Sequence, residues 1–456
     1  MVKKHKENLL QDEANELLNS KCTKKSILIT KDVQNIIKNT NLDEESMISA
    51  TLYFPYAHNH ITKDFLIEKF PTNIVTMVES LVRLHKMKLN TNKEDEAENI
   101  RRMFLAISRD IRVVFIRLAF ALAEMRTIEM YSQEEKEQKA TTNLEIFTPL
   151  ASRLGLGKIK SELEDRSFKV LNPKIYNEIE SKVNEEFKGY ERIITSINNE
   201  LESTLKKLNI EGKVMGRKKH IYSIYKKTVN KNYDLSQIYD FIAFRVLVNT
   251  IPECYTVLGE IQQKFIPLIS RFKDYIIAPK SNGYQSLHTT VLFHSIPIEI
   301  QIRTFEMHKS AEFGISAHWM YKEKREKMNS FDTKLSHIRE LVEESASMTN
   351  DELINAFKID LYDGEIFVQT PKGKIIHLVN GSTPIDFAYA IHTDIGNRCM
   401  GAKINGKMVA LSTPLKNEDI VEIITSQKAK GPSRDWLKFA KTFTARKRIK
   451  CFYNKK

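Results

Sequence analysis

The sequence predicts an α+β multidomain protein with a helical amino-terminal part, a mixed α/β middle and a small β-rich unit near the carboxyl end. Three observations predict it. A chain of 456 residues exceeds what one compact core organises, so about three domains are expected. In AENIRRMFLAISRDIRVVFIRLAFALAEMRT, apolar positions crowd every face, as in helices packed inside a bundle. From about residue 212 short β-branched runs alternate with helical patterns, and beyond about 357 strands and turns dominate.

Composition narrows the class. Hydrophobic content of 41% and charged content of 28% fit a globular protein rather than a disordered or fibrous one. The formal charge of +13, from 71 Lys and Arg against 58 Asp and Glu, suits polyanionic partners such as nucleotides, RNA or the ribosome. Basic chains from AT-rich genomes also accumulate Lys passively. Cys22, Cys254, Cys399 and Cys451 lie far apart, which argues against a disulfide framework or a zinc site and fits a reducing cytoplasm. The opening MVKKHKENLLQDEANELL lacks the apolar core of a secretory signal. VVFIRLAFALAEM, the most apolar long segment, carries Arg117 and is too short to span a bilayer, so no membrane segment is expected.

Residues 1–150 are expected to be helical and 151–330 mixed. In the second block, SRLGLGKIKSELEDRSFKVLNP runs to a structure-breaking Pro, and EEFKGYERIITSINNELESTLKKL has the spacing of a long amphipathic helix. Next come a strand in QIYDFIAFRVLV, a helix near CYTVLGEIQQKF, and strands in HTTVLF and IPIEIQIR. Residues 331–356, with SHIRELVEESASMTND, are expected to form a helical connector. The unit at 357–427 carries turns at Asp363-Gly364 and Lys372-Gly373, a Ser-Thr-Pro helix start, and a hairpin through Asn405-Gly406. Residues 428–456 begin a basic helical region.

Three stretches of the middle block carry chemistry. In PIEIQIRT, Ile298, Ile300 and Ile302 share one side of a strand while Glu299, Gln301 and Arg303 share the other. Asp240 enters a run apolar enough to be buried on both faces, where an ionised carboxylate needs compensation. Two acids on neighbouring strands suit Mg²⁺, which leaves its other positions to water and phosphate oxygens. Salt bridges to Arg245 or Arg303 explain the same acids equally well. GRKKHIYSIYKK, 216–227, puts Lys219, Ser223 and Lys227 at an i, i+4, i+8 spacing that lines a triphosphate if the segment is helical, and Arg217 offers a planar guanidinium to a base. In RFKDYIIAPKSNGYQSLHTT, a turn at Asn282-Gly283 sets Tyr284 beside Lys280 and His288, a grouping that fits either packing or purine stacking.

These segments, with IEIQIRTFEMHKSAEFGISAHWMYKEK and DFAYAIHTDIGNRCMGAKINGK, resemble the long RelA/SpoT family of alarmone enzymes over nearly the whole chain. The resemblance implies an HD-type helical hydrolase domain, a nucleotidyltransferase-like synthetase domain and a β-grasp TGS domain, in that order. It implies transfer of pyrophosphate from ATP to the 3′-hydroxyl of GDP or GTP. Asp240 and Glu299 would hold Mg²⁺, with Glu299 also taking or orienting the hydroxyl proton. Arg217 and Arg245 would sandwich adenine, and Lys219, Ser223 and Lys227 would bind the ATP phosphates. Tyr284 would stack on guanine, with Lys280, Asn282, His288 and Gln301 around it. Arg271, Phe272, Lys273 and Asp274 match the basic version of a loop linked to choosing GDP over GTP.

The helical part departs from that family. Where relatives carry a His-Asp pair and then a Glu-Asp pair, this chain has Tyr53, Phe54, Ala57 and His58. Phe120 replaces a metal-binding Asp, and Glu124 an Asn. Aromatic rings cannot replace imidazole and carboxylate around Mn²⁺, so hydrolysis is expected to be lost. The TGS-like unit implies contact with uncharged tRNA on the ribosome, although Asn397 stands where relatives commonly have His. Long relatives continue with further domains, so a longer parent protein is expected. The alternatives are a silent ribosome- or tRNA-binding regulator, and a hydrolase with unusual metal ligands.

Overall fold

The computed structural model describes residues 2–40, 42–85, 109–231, 242–280, 282–294, 296–314 and 365–454. The chain divides into two compact units, Met1–Asp351 and Glu352–Lys456. Asp240, the connector at 331–356 and the turn at Asp363-Gly364 lie outside the described residues.

The first unit opens with helices α1 (Val2–Lys21), α2 (Lys24–Asn39), α3 (Glu44–Ala57), α4 (Lys63–Lys69), α5 (Thr72–His85), α6 (Ile111–Arg126), α7 (Gln133–Thr142) and α8 (Thr148–Arg153). The expected pattern holds most plainly in α6, where every residue from Val113 to Met125 is buried, Arg117 and Glu124 included. Asp110 caps α6 by accepting from the Arg112 N–H at 2.9 Å. The Arg112 guanidinium then reaches Asp43 at 2.6 Å and Glu45 at 2.9 Å, tying the start of α6 to the start of α3.

Three further helices follow, α9 (Gly157–Leu171), α10 (Pro173–Gly189) and α11 (Glu191–Lys207), before β1 (Lys213–Lys218), α12 (Ile221–Lys231), β2 (Ile242–Val248) and α13 (Ile251–Lys264). The short strands β3 (Ile266–Pro267) and β4 (Lys273–Asp274), the longer β5 (Leu287–Phe293) and β6 (Ile296–Thr304), and α14 (Phe305–Phe313) complete the described part of this unit. The sheet runs β1-β2-β6-β5-β3, with β4 also on β5. β2 and β6 pair in parallel, while the other pairs are antiparallel. The strict alternation in β6 is realised. Ile298, Ile300 and Ile302 are fully buried in one core with Phe244 and Val246 of β2, Leu205 of α11 and Ile261 of α13.

One expectation is corrected. The run at 216–227 is not one helix: Gly216, Arg217 and Lys218 belong to β1, pairing with Phe244, Ala243 and Ile242, and the helix starts at Ile221. Lys219 therefore lies in the link before α12, while Ser223 and Lys227 sit one turn apart on it. The Asp165 carboxylate holds that helix start, accepting from the Tyr222 N–H at 2.9 Å.

The second unit contains β7 (Glu365–Gln369), β8 (Ile375–Val379), α15 (Pro384–Ile391), α16 (Thr393–Asn397), β9 (Cys399–Ile404), β10 (Lys407–Val409), β11 (Val421–Thr425) and α17 (Phe443–Asn454). The Asn405-Gly406 hairpin joins β9 to β10, and Thr383 caps α15 in a capping box with Asp386. That Asp386 is fully buried and also accepts from the Lys441 N–H at 2.9 Å and the Thr442 N–H at 2.7 Å. Ala445 and Ile449 of α17 share a core with Ile385, Tyr389 and Cys399, so the basic tail packs onto the β-rich unit. Asn397 accepts a hydrogen bond from the Tyr389 hydroxyl at 3.0 Å. Among the described residues, no helix is long and apolar enough to cross a membrane.

Candidate active site

The parallel register of β2 and β6 sets Ala243 beside Glu299 and Arg245 beside Gln301. β5 runs on the other side of β6, with His288 opposite Gln301 and Thr290 opposite Glu299. The sheet thus gathers Arg245, His288, Glu299 and Gln301, and polar contacts join the last three to Tyr284. Gln301 donates to Glu299 Oε1 at 2.8 Å, His288 Nδ1 lies 3.6 Å from the same oxygen, and His288 Nε2 lies 2.8 Å from the Tyr284 hydroxyl. Neither arginine of the alternative reading pairs with Glu299 among the described residues. Arg245 and Arg303 instead reach Glu312 on α14, at 3.1 Å and 3.6 Å.

The turn at Asn282-Gly283 forms as expected. The Gly283 N–H donates to Lys280 O at 2.7 Å, and the Lys280 N–H donates to Tyr284 O at 3.1 Å. The Lys280 ammonium lies 5.3 Å from the centre of the Tyr284 ring, and the Arg303 guanidinium lies 5.7 Å from it. A cavity of about 390 Å³ opens here, lined by Lys280, Tyr284, Arg245, Arg303 and Glu312 from the mixed part and by Lys158 and Lys160 from α9. Its wall is strongly basic, with Glu312 already engaged by two arginines, which suits a phosphorylated ligand.

Sequence reasoning missed His308, Glu312, Lys158 and Lys160. His308 and Glu312 lie on α14 and Lys158 and Lys160 on α9, and they acquire meaning only when those two helices pack beside each other. Of the expected specificity loop, Phe272 packs against the core and Asp274 is committed to structure. Its carboxylate accepts from the Tyr255 hydroxyl at 2.8 Å and from the Ile276 and Ile277 N–H groups. Arg271 and Lys273 are exposed, and Lys273 pairs with His288 across β4 and β5. Ser223 donates to His220 O at 2.8 Å, while Arg217 stands at the end of β1 beside Ala243.

Comparison with known proteins gives the lineage. A model described as a region found in RelA / SpoT proteins matches residues 216–326, an HD domain model matches 14–157 and a TGS domain model matches 366–425. A protein of Myxococcus xanthus named GTP pyrophosphokinase is 42% identical over 426 residues, 92% of this chain and 56% of its own length. The chain belongs to the RelA/SpoT family. Another relative, the bifunctional (p)ppGpp synthase/hydrolase SpoT of Escherichia coli K12, is 40% identical over 91% of this chain and 59% of its own length. The chain therefore spans little more than half the length of these RelA/SpoT relatives. A solved structure, the small alarmone synthetase 1 from Bacillus subtilis, matches 36% of this chain at 22% identity with a TM-score of 0.27.

In this RelA/SpoT chain the positions expected to have lost their metal ligands form a packed cluster. The Tyr53 and Phe120 rings lie 4.6 Å apart, Phe54 and Phe120 5.7 Å, and all three are buried. Ala57 ends α3 and His58 caps it, its ring 5.9 Å from that of His60. Next to the rings, Glu124 receives Lys139 Nζ at 2.9 Å, His85 Nε2 at 3.4 Å and Arg117 Nη1 at 3.6 Å. Burial alone would raise the Glu124 pKa, but His85, Arg117 and Lys139 outweigh it and hold the carboxyl down at about 2.

Three histidines are held neutral. Burial lowers His85 to about 3 and His288 and His308 to about 4, in each case aided by nearby cations. Unfolding restores their ordinary values near 6.5, so between about pH 6.5 and 4 the unfolded chain binds more protons than the folded one. Stability is therefore full above pH 6.5 and falls as the pH drops towards 4. Thermal melting across that range checks this; a flat midpoint would contradict the neutral assignments.

Proposed function

We propose that this chain is a (p)ppGpp synthetase that transfers pyrophosphate from ATP to the 3′-hydroxyl of GDP or GTP, and that its helical domain has lost the hydrolase activity. The observation that carries the reading is the chain Tyr284–His288–Glu299–Gln301 beside a basic cavity. It joins an aromatic platform for a purine, Tyr284 on the cavity wall, through His288 to the Glu299 carboxylate. The guanine base stacks on Tyr284, and neutral His288 holds the ring's hydroxyl. Glu299 accepts or orients the proton of the attacking hydroxyl.

Half-buried Glu299 has one oxygen engaged by Gln301, which leaves the other for a cation; Asp240, two residues before β2, is its proposed partner. Mg²⁺ held there would neutralise phosphate charge. Arg217, Lys219, Ser223, Lys227 and Arg245 are assigned to ATP, and such transfer rests mainly on positioning and charge neutralisation. With Phe272 and Asp274 in structural roles, Arg271 and Lys273 are the side chains left to influence the choice between GDP and GTP. The TGS domain is assigned to uncharged tRNA on the ribosome, with Asn397 already bonded to Tyr389, and the cytoplasm is the corresponding compartment.

Loss of hydrolysis is supported by the packed rings of Tyr53, Phe54 and Phe120 and by Glu124, whose carboxylate is committed to Lys139, His85 and Arg117.

Incubation with ATP, GDP or GTP and Mg²⁺ should yield AMP and a 3′-pyrophosphorylated guanine nucleotide; no product would refute the reading. Tyr284→Ala should weaken guanine nucleotide binding by about 1–3 kcal/mol, the worth of one base stack. An unchanged dissociation constant in a fluorescence titration would remove Tyr284 from the site.

A further inference from the structure

Helix α12 carries Ser223 and Lys227, two of the side chains assigned to the ATP phosphates, and α9 holds it from behind. One side of α12 is apolar. Ile224 is fully buried, and with Ile221, Tyr222 and Tyr225 it shares a core with Phe168 of α9 and Tyr176 and Ile179 of α10. The Tyr225 ring stacks on Phe168 with centres 4.4 Å apart, and the Tyr222 ring lies 5.4 Å from it. At about 100° per residue, Ser223 and Lys227 fall on the opposite side of the helix. The aromatic contacts therefore set the rotation of α12 about its axis.

Its first turn is secured separately. The leading N–H groups of an α-helix have no partner within the helix. On α12 the Tyr222 N–H donates to the Asp165 carboxylate of α9, 57 residues earlier, at 2.9 Å. The other Asp165 oxygen lies 3.5 Å from His220 Nδ1. His220 precedes the helix, and its carbonyl accepts from the Ser223 hydroxyl at 2.8 Å and the Ile224 N–H at 3.2 Å, but its side chain has no short oxygen with which to cap. Asp165 supplies from α9 what an N-cap residue supplies within its own helix. The neighbouring Glu164, buried on α9, lies 3.7 Å from Lys226 as a second and more exposed tie.

A carboxylate does not bind phosphate, so the bearing of Asp165 on ATP runs through the helix it caps. Resting on the assignment of Ser223 and Lys227 to ATP, we infer that Asp165 is a positioning residue: by capping α12 it keeps the first turn formed, with Ser223 and Lys227 spaced for the triphosphate. Without the cap, apparent ATP affinity falls in proportion to the fraction of chains in which the turn is formed before ATP arrives. Guanine nucleotide, bound at Tyr284, makes no such demand on α12.

The test uses the whole chain with Asp165→Ala and Asp165→Asn, reading ATP KM, guanine nucleotide KM and kcat with both substrates saturating, together with hydrogen exchange at the α12 amides. Alanine is a strong helix former and Asp165 is only partly buried, so α9 keeps its own stability. Asp165→Ala should raise ATP KM about 5- to 30-fold, the range a lost helix cap spans, with guanine KM and kcat within about twofold of the parent. The amides of the first turn of α12 should exchange faster. Asparagine keeps an oxygen for the Tyr222 N–H, so Asp165→Asn should hold ATP KM within about twofold of the parent and retain the protection. A parental ATP KM in Asp165→Ala, an equal rise in guanine KM, or no rescue by asparagine would overturn the inference.

If Asp165→Ala melts below the assay temperature, Asp165→Ser takes its place. Its hydroxyl is one atom short of the Tyr222 N–H, so the same rise in ATP KM is expected and a parental value overturns the cap. A parent chain that makes no product and binds no ATP defeats the functional reading, and hydrogen exchange then still decides the cap. An active parent whose Asp165→Ala form keeps the parental ATP KM defeats this inference alone.

Discussion

Glu299→Gln should lower the rate of pyrophosphate transfer by about 10²- to 10³-fold or more, the scale on which losing one preorganised electrostatic group acts. The amide keeps the shape and a bond to Gln301, so the sheet is undisturbed: Glu299 sits half-buried between His288 and Gln301 on a strand whose opposite face supplies the core. What is lost is the negative charge proposed to hold a cation and accept a proton. Asp240→Asn should have an effect of similar size by removing the second carboxylate. Steady-state production of AMP, with the melting temperature as a control for folding, checks both. Turnover within tenfold of the parent in either variant would contradict the shared metal site.

Glu124→Gln should destabilise the helical domain by about 3–5 kcal/mol, because it strips the counter-charge from buried cations. Glu124 has only 4% of its surface exposed, and Arg117 and Lys139 both lean on it from α6 and α7. The buried charge of Glu124 is balanced by these side-chain cations. A fall in the melting midpoint of several degrees or more is the expected readout. An unchanged midpoint would mean that the ion pairs contribute nothing net and that the pocket is held by its rings alone.

Much of this was legible because the signals are local. The period of two in PIEIQIRT specified β6 and its buried face, and Asn-Gly pairs specified the turns before Tyr284 and in the β9–β10 hairpin. The replacements at Tyr53, Phe54 and Phe120 could likewise be seen residue by residue. What escaped depends on partners distant in sequence. The 216–227 run looked helical because Lys and Arg tolerate either state, and pairing with β2 decides in favour of a strand for its first part. Asn282 finds Ser152 130 residues away. Asp386 binds the backbone at Lys441 and Thr442, 55 and 56 residues on. The new partners of Glu124 come from α5, α6 and α7, and no motif links His85, Arg117 and Lys139 in advance.

The most direct test compares both directions of alarmone chemistry on one preparation of the chain. One reaction holds ATP, GDP and Mg²⁺; the other holds ppGpp and Mn²⁺, and nucleotides in each are separated and quantified over time. The account predicts ppGpp and AMP accumulating in the first and intact ppGpp in the second. Pyrophosphate released from ppGpp in the second reaction, with no synthesis in the first, would contradict it.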